Sequence, residues 1–176
     1  MKKILFSLFM ASPLMASAYD AQIDGFYYDF KEDGKAFVVY GSLGGYSGDV
    51  EIPSKVTYDG VEYTVTGIGE NAFASCKELT SVKIPETIVS LGYSAFSGCT
   101  GLPSINIHSS VASISEESFA SCYNITSVNI DPANENYSSG NNANCIVDLK
   151  TKTVIFGCST TTIPLTAFAI SNTAFA

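Results

Sequence analysis

The sequence predicts a solenoid: short coils stacked in one direction, with a parallel β ribbon along one side and a short helical or 3₁₀ turn closing each coil. Three observations predict it. First, three segments repeat with a period of 23 residues and no gap: IGENAFASCKELTSVKIPETIVS from Ile68, LGYSAFSGCTGLPSINIHSSVAS from Leu91 and ISEESFASCYNITSVNIDPANEN from Ile114. A fixed period in this range marks repeat architectures, in which one unit cannot bury its own apolar face and neighbours cover it. Second, the apolar and thiol positions recur together. Phe73, Phe96 and Phe119 align, as do Cys76, Cys99 and Cys122; Leu79, Leu102 and Ile125; Val82, Ile105 and Val128; and Ile84, Ile107 and Ile130. Third, each segment contains a period-2 step such as Val82-x-Ile84, which turns both side chains inward from a short strand. Strands one period apart are then expected to pair in parallel. Gly69-Glu70-Asn71-Ala72-Phe73-Ala74-Ser75 supplies the turn that brings Phe73 and Cys76 beneath it.

The chain begins with an export signal. Lys2 and Lys3 give a positive start, residues 4–15 are apolar apart from Ser and Pro, and Ala16-Ser17-Ala18 precedes a cleavage site before Tyr19. The apolar stretch of residues 1–18 is too short to span a bilayer. No second long apolar run follows it, and no cysteine follows the site to carry a lipid. The mature chain is therefore expected to be secreted or held at the cell surface.

Residues 19–67 form an N-terminal β cap and a first partial coil. Gly25 to Phe30 and Ala36 to Tyr40 are strand-like around the turn Lys31-Glu32-Asp33-Gly34-Lys35, which reads as a hairpin. Seven of the ten tyrosines lie between 19 and 63. They suit a cover for the open end of the first coil; the Gly/Ser/Tyr loop from Tyr40 to Tyr46 also suits stacking on a sugar. Val50-Glu51-Ile52-Pro53 matches Val82-Lys83-Ile84-Pro85, so a unit starts there. Ile52 lies 16 residues before Ile68, whereas Ile84 lies 7 before Leu91, so nine residues are inserted. Asp59-Gly60 within them is a strong hairpin-turn signal.

Residues 68–136 are the three regular repeats. Residues 137–162 hold a second inserted hairpin, with strands around Cys145–Leu149 and Val154–Cys158. Residues 163–176 resume the pattern at Ile163-Pro164, with Ile170 and Phe175 at the expected offsets, as an incomplete terminal repeat. Its apolar end is expected to be loosely ordered or covered, by a partner or by a second copy of the chain.

The text IGxxAFxxCxxLxSVxIP resembles the BspA-like branch of the leucine-rich repeat proteins, and the resemblance covers residues 49–176. It implies a leucine-rich-repeat solenoid. It further implies a bacterial protein, secreted or on the cell surface, that binds other proteins without catalysis, as in adhesion to host or neighbouring cells.

Composition excludes several classes. The formal net charge is −8, or −10 once Lys2 and Lys3 are removed, and the chain has no arginine. Such a chain is a poor partner for nucleic acid or for anionic lipid surfaces. His108 is the single histidine, so a multi-histidine metal site is excluded, and no nucleophile motif surrounds any serine. Asp131, Asn134, Glu135 and Asn136 lack the spacing of a calcium loop, Glu116 and Glu117 diverge on a turn, and glycine-rich phosphate loops are absent. No cofactor is expected. Cys76, Cys99 and Cys122 read as a reduced ladder in the core. Cys145 and Cys158 form a candidate cross-strand disulfide if the hairpin folds about Thr151-Lys152. The strand phase turns Ser81, Lys83, Ser104, Asn106, Ser127 and Asn129 outward, with His108 at the edge. This small polar ribbon is the candidate binding face, for a protein or alternatively for a glycan.

Overall fold

The structure is a computed structural model that describes residues 19–40, 45–141 and 143–176. The expected export signal at 1–18 and part of the 40–46 loop lie outside the described residues. Fifteen strands are described: β1 (Ala21–Ile23), β2 (Phe26–Phe30), β3 (Lys35–Val38), β4 (Gly48–Glu51), β5 (Lys55–Tyr58), β6 (Val61–Ile68), β7 (Leu79–Lys83) and β8 (Ser90–Leu91). They continue with β9 (Ser104–Ile107), β10 (Ser113–Ile114), β11 (Ser127–Ile130), β12 (Tyr137–Ser138), β13 (Cys145–Asp148), β14 (Thr153–Gly157) and β15 (Ala169–Ile170).

The repeat reading holds. β9 and β11 pair in parallel with Ser104 opposite Ser127 and Ile107 opposite Ile130, one period apart. A second parallel ladder runs on another side of the coils, through β6, β8 and β10, with Ile68, Leu91 and Ile114 in register. The N-terminal hairpin joins this ladder, because β3 pairs in parallel with β6. The Asp59-Gly60 signal is met by the turn between β5 and β6, where both residues have positive φ, 48° and 77°. That is the backbone twist a two-residue hairpin requires, and glycine adopts it without strain.

The phenylalanines form a spine. The Phe73 and Phe96 ring centroids are 5.0 Å apart at 8°, and Phe96 and Phe119 are 5.4 Å apart at 3°. Tyr46 extends the spine at one end, 4.5 Å from Phe73, and Phe156 at the other, 5.6 Å from Phe119. Cys76, Cys99 and Cys122 are buried beside it as free thiols. Cys99 Sγ donates to Phe73 O at 3.0 Å and Cys122 Sγ to Phe96 O at 3.1 Å, so each thiol ties its coil to the one before. Burial pushes the Cys122 thiol up to about 11 and raises those of Cys76 and Cys99 as well.

The arcs are not helical. In the first, Ala74 N bonds Asn71 O and Cys76 N bonds Phe73 O, each an isolated three-residue turn. Between them the chain steps into positive φ at Asn71 (56°) and Ser75 (60°), which interrupts any 3₁₀ run. The amides in between turn outward along the stack: Asn71, Phe73 and Ser75 donate to Tyr93, Ala95 and Ser97 of the next coil. Alternate amides thus close the coil and join it to its neighbour, and few backbone donors are left over.

Candidate functional site

The outward ribbon is longer than the strand phase alone predicts and is divided in two. β4 pairs in parallel with β7, Asp49 opposite Ser81 and Glu51 opposite Lys83. Two columns therefore face outward: Asp49, Ser81, Ser104 and Ser127, and Glu51, Lys83, Asn106 and Asn129. Glu51, Lys83, Asn106 and Asn129 are exposed, while Ser104 and Ser127 are half-buried. Asp49 and Glu51 are face residues that the sequence reading misses, although the match of Val50-Glu51-Ile52-Pro53 to the first repeat carries the signal.

These side chains bind one another across the strands. Ser81 Oγ and Thr80 Oγ1 donate to Asp49 Oδ1 at 2.7 and 2.8 Å, and those hydroxyls, Ser81 first, hold the Asp49 carboxyl below its usual range. Lys83 Nζ lies 2.6 Å from Glu51 Oε1. Asn129 Nδ2 donates to Asn106 Oδ1 at 3.1 Å.

The expected continuous ribbon is broken between β7 and β9, which lie in separate two-stranded sheets. The cause is Pro103. In the third coil Thr126 N donates to Pro103 O at 2.9 Å. The bond one period earlier would run from residue 103 to Thr80 O, and proline has no N–H to make it. Just before that point the coils touch closely: a Cβ on Gly101 would lie 2.5 Å from Lys77 O and 2.6 Å from Leu79 O. Beyond Pro103 the strands part. The opening is a cleft of about 390 Å³ lined by Ser81, Val82, Lys83, Ile84, Asn106 and His108. The structure thus brings four of the seven candidate residues to one cavity, and leaves Ser104, Ser127 and Asn129 on the paired half of the ribbon.

The remaining candidates from the sequence take structural places. Asn134 is buried; its Nδ2 donates to His108 O (2.8 Å) and Val111 O (3.0 Å), and its Oδ1 accepts from Asn136 N (2.9 Å) and Tyr137 N (2.8 Å). It pins the 131–136 loop and has no lone pair directed at a cation. Among the described residues no cluster of three or more His, Cys, Asp or Glu is placed to hold a metal. Tyr46 is buried at the spine, and its hydroxyl accepts from Tyr27 N at 3.3 Å, so it offers no open ring to a sugar. The second hairpin turns through 149–152, with Asp148 opposite Thr153 and Cys145 opposite Gly157. Cys158 is one step further on and packs with the main core, while Cys145 belongs to a separate small cluster with Val147, Val154 and Ala174. Both are free thiols. The 149–152 turn sits about a residue earlier than the turn that would have set them opposite each other.

The C-terminal coil keeps its strand but is poorly covered. Leu165 is 102% exposed, Phe168 85% and Phe175 52%. No helix among the described residues is long and apolar enough to cross a membrane.

Comparison with known proteins agrees with this geometry. The family model for the BspA type leucine rich repeat region matches residues 50–174 in six copies. A leucine-rich repeat protein of Bacteroides capillosus is 24% identical with a TM-score of 0.51, over 63% of this chain and 97% of that one. One from Bacteroides ovatus is 27% identical with a TM-score of 0.42, over 63% of this chain and 41% of its own. A leucine rich cell surface protein of Faecalibacterium prausnitzii is 15% identical with a TM-score of 0.33, over 77% of this chain and 60% of that one. No curated protein matches. With the family model spanning most of its length, the chain belongs to the BspA-type leucine-rich repeat family.

Proposed function

We propose that this chain is a secreted or cell-surface protein that binds a protein of a host or neighbouring cell through its polar ribbon, without catalysis, as an adhesion module. The observation that carries the proposal is the ribbon itself: two outward columns of small polar side chains, from Asp49 and Glu51 to Ser127 and Asn129, on a backbone fixed by parallel ladders. A surface held this rigidly loses little conformational entropy on contact. Family membership supports a binding role, and the character of residues 1–18 supports export.

The test is a pull-down with biotinylated protein of residues 19–176 against cell-surface and extracellular-matrix extracts. Capture of a defined protein by the wild type, lost in Asn129→Arg at unchanged melting temperature, is expected. Asn129 is exposed, so arginine there adds bulk and charge without entering the core. Capture that survives both Asn129→Arg and Ser127→Arg would remove the ribbon from the interaction.

A further inference from the structure

The cleft between β7 and β9 has a chemical character of its own. Its donors outnumber its acceptors. Asn106 Oδ1 accepts from Asn129, so the NH₂ of Asn106 is the end of that side chain left to bond elsewhere. Lys83 brings an ammonium and His108 an imidazole to the same cavity. The hydroxyl of Ser81 is already donated to Asp49. The floor is apolar, formed by Val82 and Ile84, and no Phe, Tyr or Trp ring lines the cavity. The walls are two strand edges that no ladder joins, so each edge leaves main-chain groups facing the opening.

We propose that this cleft seats a carboxylate side chain, aspartate or glutamate, carried on an extended segment of the bound protein. The inference rests on the ribbon being the binding face and names what part of the partner enters it. Lys83 and the Asn106 amide, with the His108 ring at the edge, bind the two carboxylate oxygens. The strand edges meet the partner's main chain, as when a peptide lies along a sheet edge. The absence of an aromatic platform favours a peptide over an acidic sugar.

Glu51 is the resident competitor. It pairs with Lys83 in the unbound protein, and the two side chains are 69% and 72% exposed. An ion pair this open contributes little, so replacing one carboxylate by another is close to neutral. The net charge of −10 on residues 19–176 repels an acidic ligand, but that field fades within about 8 Å at physiological salt, and contact inside the cleft is governed by its donors.

Pro103 keeps the seat open. Thr80 and Thr126 hold the equivalent position in the flanking repeats, so Pro103→Thr restores the missing N–H and draws β9 toward β7.

The experiment uses the 19–176 chain and an acetylated, amidated peptide of three Val-Glu pairs, titrated by fluorescence polarisation at about 0.15 M salt. Val-Gln and Val-Lys peptides and free N-acetylneuraminate are the comparison ligands. Binding of the Val-Glu peptide is expected to weaken about threefold in Lys83→Ala, strengthen about threefold in Glu51→Gln, and disappear in Pro103→Thr. The opposite signs for Lys83 and Glu51 exclude a general loss of folding. Equal affinity for Val-Glu and Val-Gln peptides, no Val-Glu binding at millimolar concentration, or indifference to all three variants overturns the proposal. Binding of N-acetylneuraminate in place of the peptide overturns it too. If the cleft variants are silent while Asn129→Arg still abolishes partner capture, the seat is refuted and the binding face stands. If Asn129→Arg is silent as well, both fall.

Discussion

Replacing Phe96 by alanine tests the stacked interior most directly. Phe96 is fully buried, with the rings of Phe73 and Phe119 stacked on its two faces at 5.0 and 5.4 Å. Truncating a buried phenylalanine costs about 3–5 kcal/mol, and two stacks worth about 0.5–1.5 kcal/mol each place this site at the upper end. The expected loss is therefore about 5 kcal/mol, a third or more of the stability of an ordinary domain. With a urea slope of about 2 kcal/mol/M, the midpoint falls by about 2.5 M. The chain has no tryptophan, so far-UV circular dichroism is the suitable probe. Phe175→Ala is the control. Its ring is 52% exposed, and its removal is expected to cost about 1 kcal/mol. A Phe96→Ala midpoint within about 0.3 M of wild type, or equal shifts for the two variants, would refute a continuous ring column as the source of cohesion.

Asn134→Ala strands two carbonyls and two amides in a buried corner and is expected to cost about 3 kcal/mol in a thermal or urea melt, whereas Glu135→Ala beside it is expected to be neutral. Burial raises the Tyr28 phenol and pushes that of Tyr46 up to about 12 from an ordinary 10.0; their neutral forms stabilise the fold below pH 10.0, and that contribution is lost as pH climbs through the folded values, so absorbance at 295 nm and loss of circular dichroism should rise together above pH 10.0. Iodoacetamide at pH 8 is expected to leave Cys99, Cys122 and Cys145 unmodified in the native protein, because burial raises all three thiols, and to modify all five cysteines in urea without reductant; a two-proton mass shift on reduction would instead reveal a Cys145–Cys158 bond. Amides after Leu165 are expected to exchange far faster than those of β9 and β11.

Much of this architecture is written in the repeat. Phenylalanine, thiol and aliphatic positions recurring at one period leave no arrangement but superposition, and the spine is that superposition. Asp59-Gly60 announces its turn through the backbone both residues favour. The arcs depart from expectation because Gly69 to Ser75 has the composition of a helical turn. Only the inter-coil hydrogen bonds of Asn71, Phe73 and Ser75 require the chain to leave helical φ, and those partners are 22 residues away. The second hairpin misses its expected register because it turns a residue early, at 149–152; the shift between Ile146 and Val147, which has no sequence mark, recovers only one step, so Cys145 faces Gly157 and not Cys158. β1 is three residues long and gives no periodic signal. The divided ribbon does have a mark in the sequence: Pro103 stands where Thr80 and Thr126 stand, immediately before β9, and a proline there has no N–H to donate to the neighbouring coil.

The alternation of amides around each arc bears on where this scaffold admits extra chain. Between the second and third coils, hydrogen bonds cross at the ribbon, at the β8–β10 ladder and along the arc. One residue added within any of these stretches would slide every later crossing out of phase. The corner between ribbon and second ladder carries no strand ladder; only side chains bridge it, Asn134 to His108 O and Val111 O and Ser110 to Ile88 O, and the β5–β6 hairpin occupies that corner in the first partial coil. A foreign loop spliced between Glu86 and Thr87, at the same corner one coil later, should leave both flanking repeats in place, which makes this bend the natural point for grafting a label or an epitope.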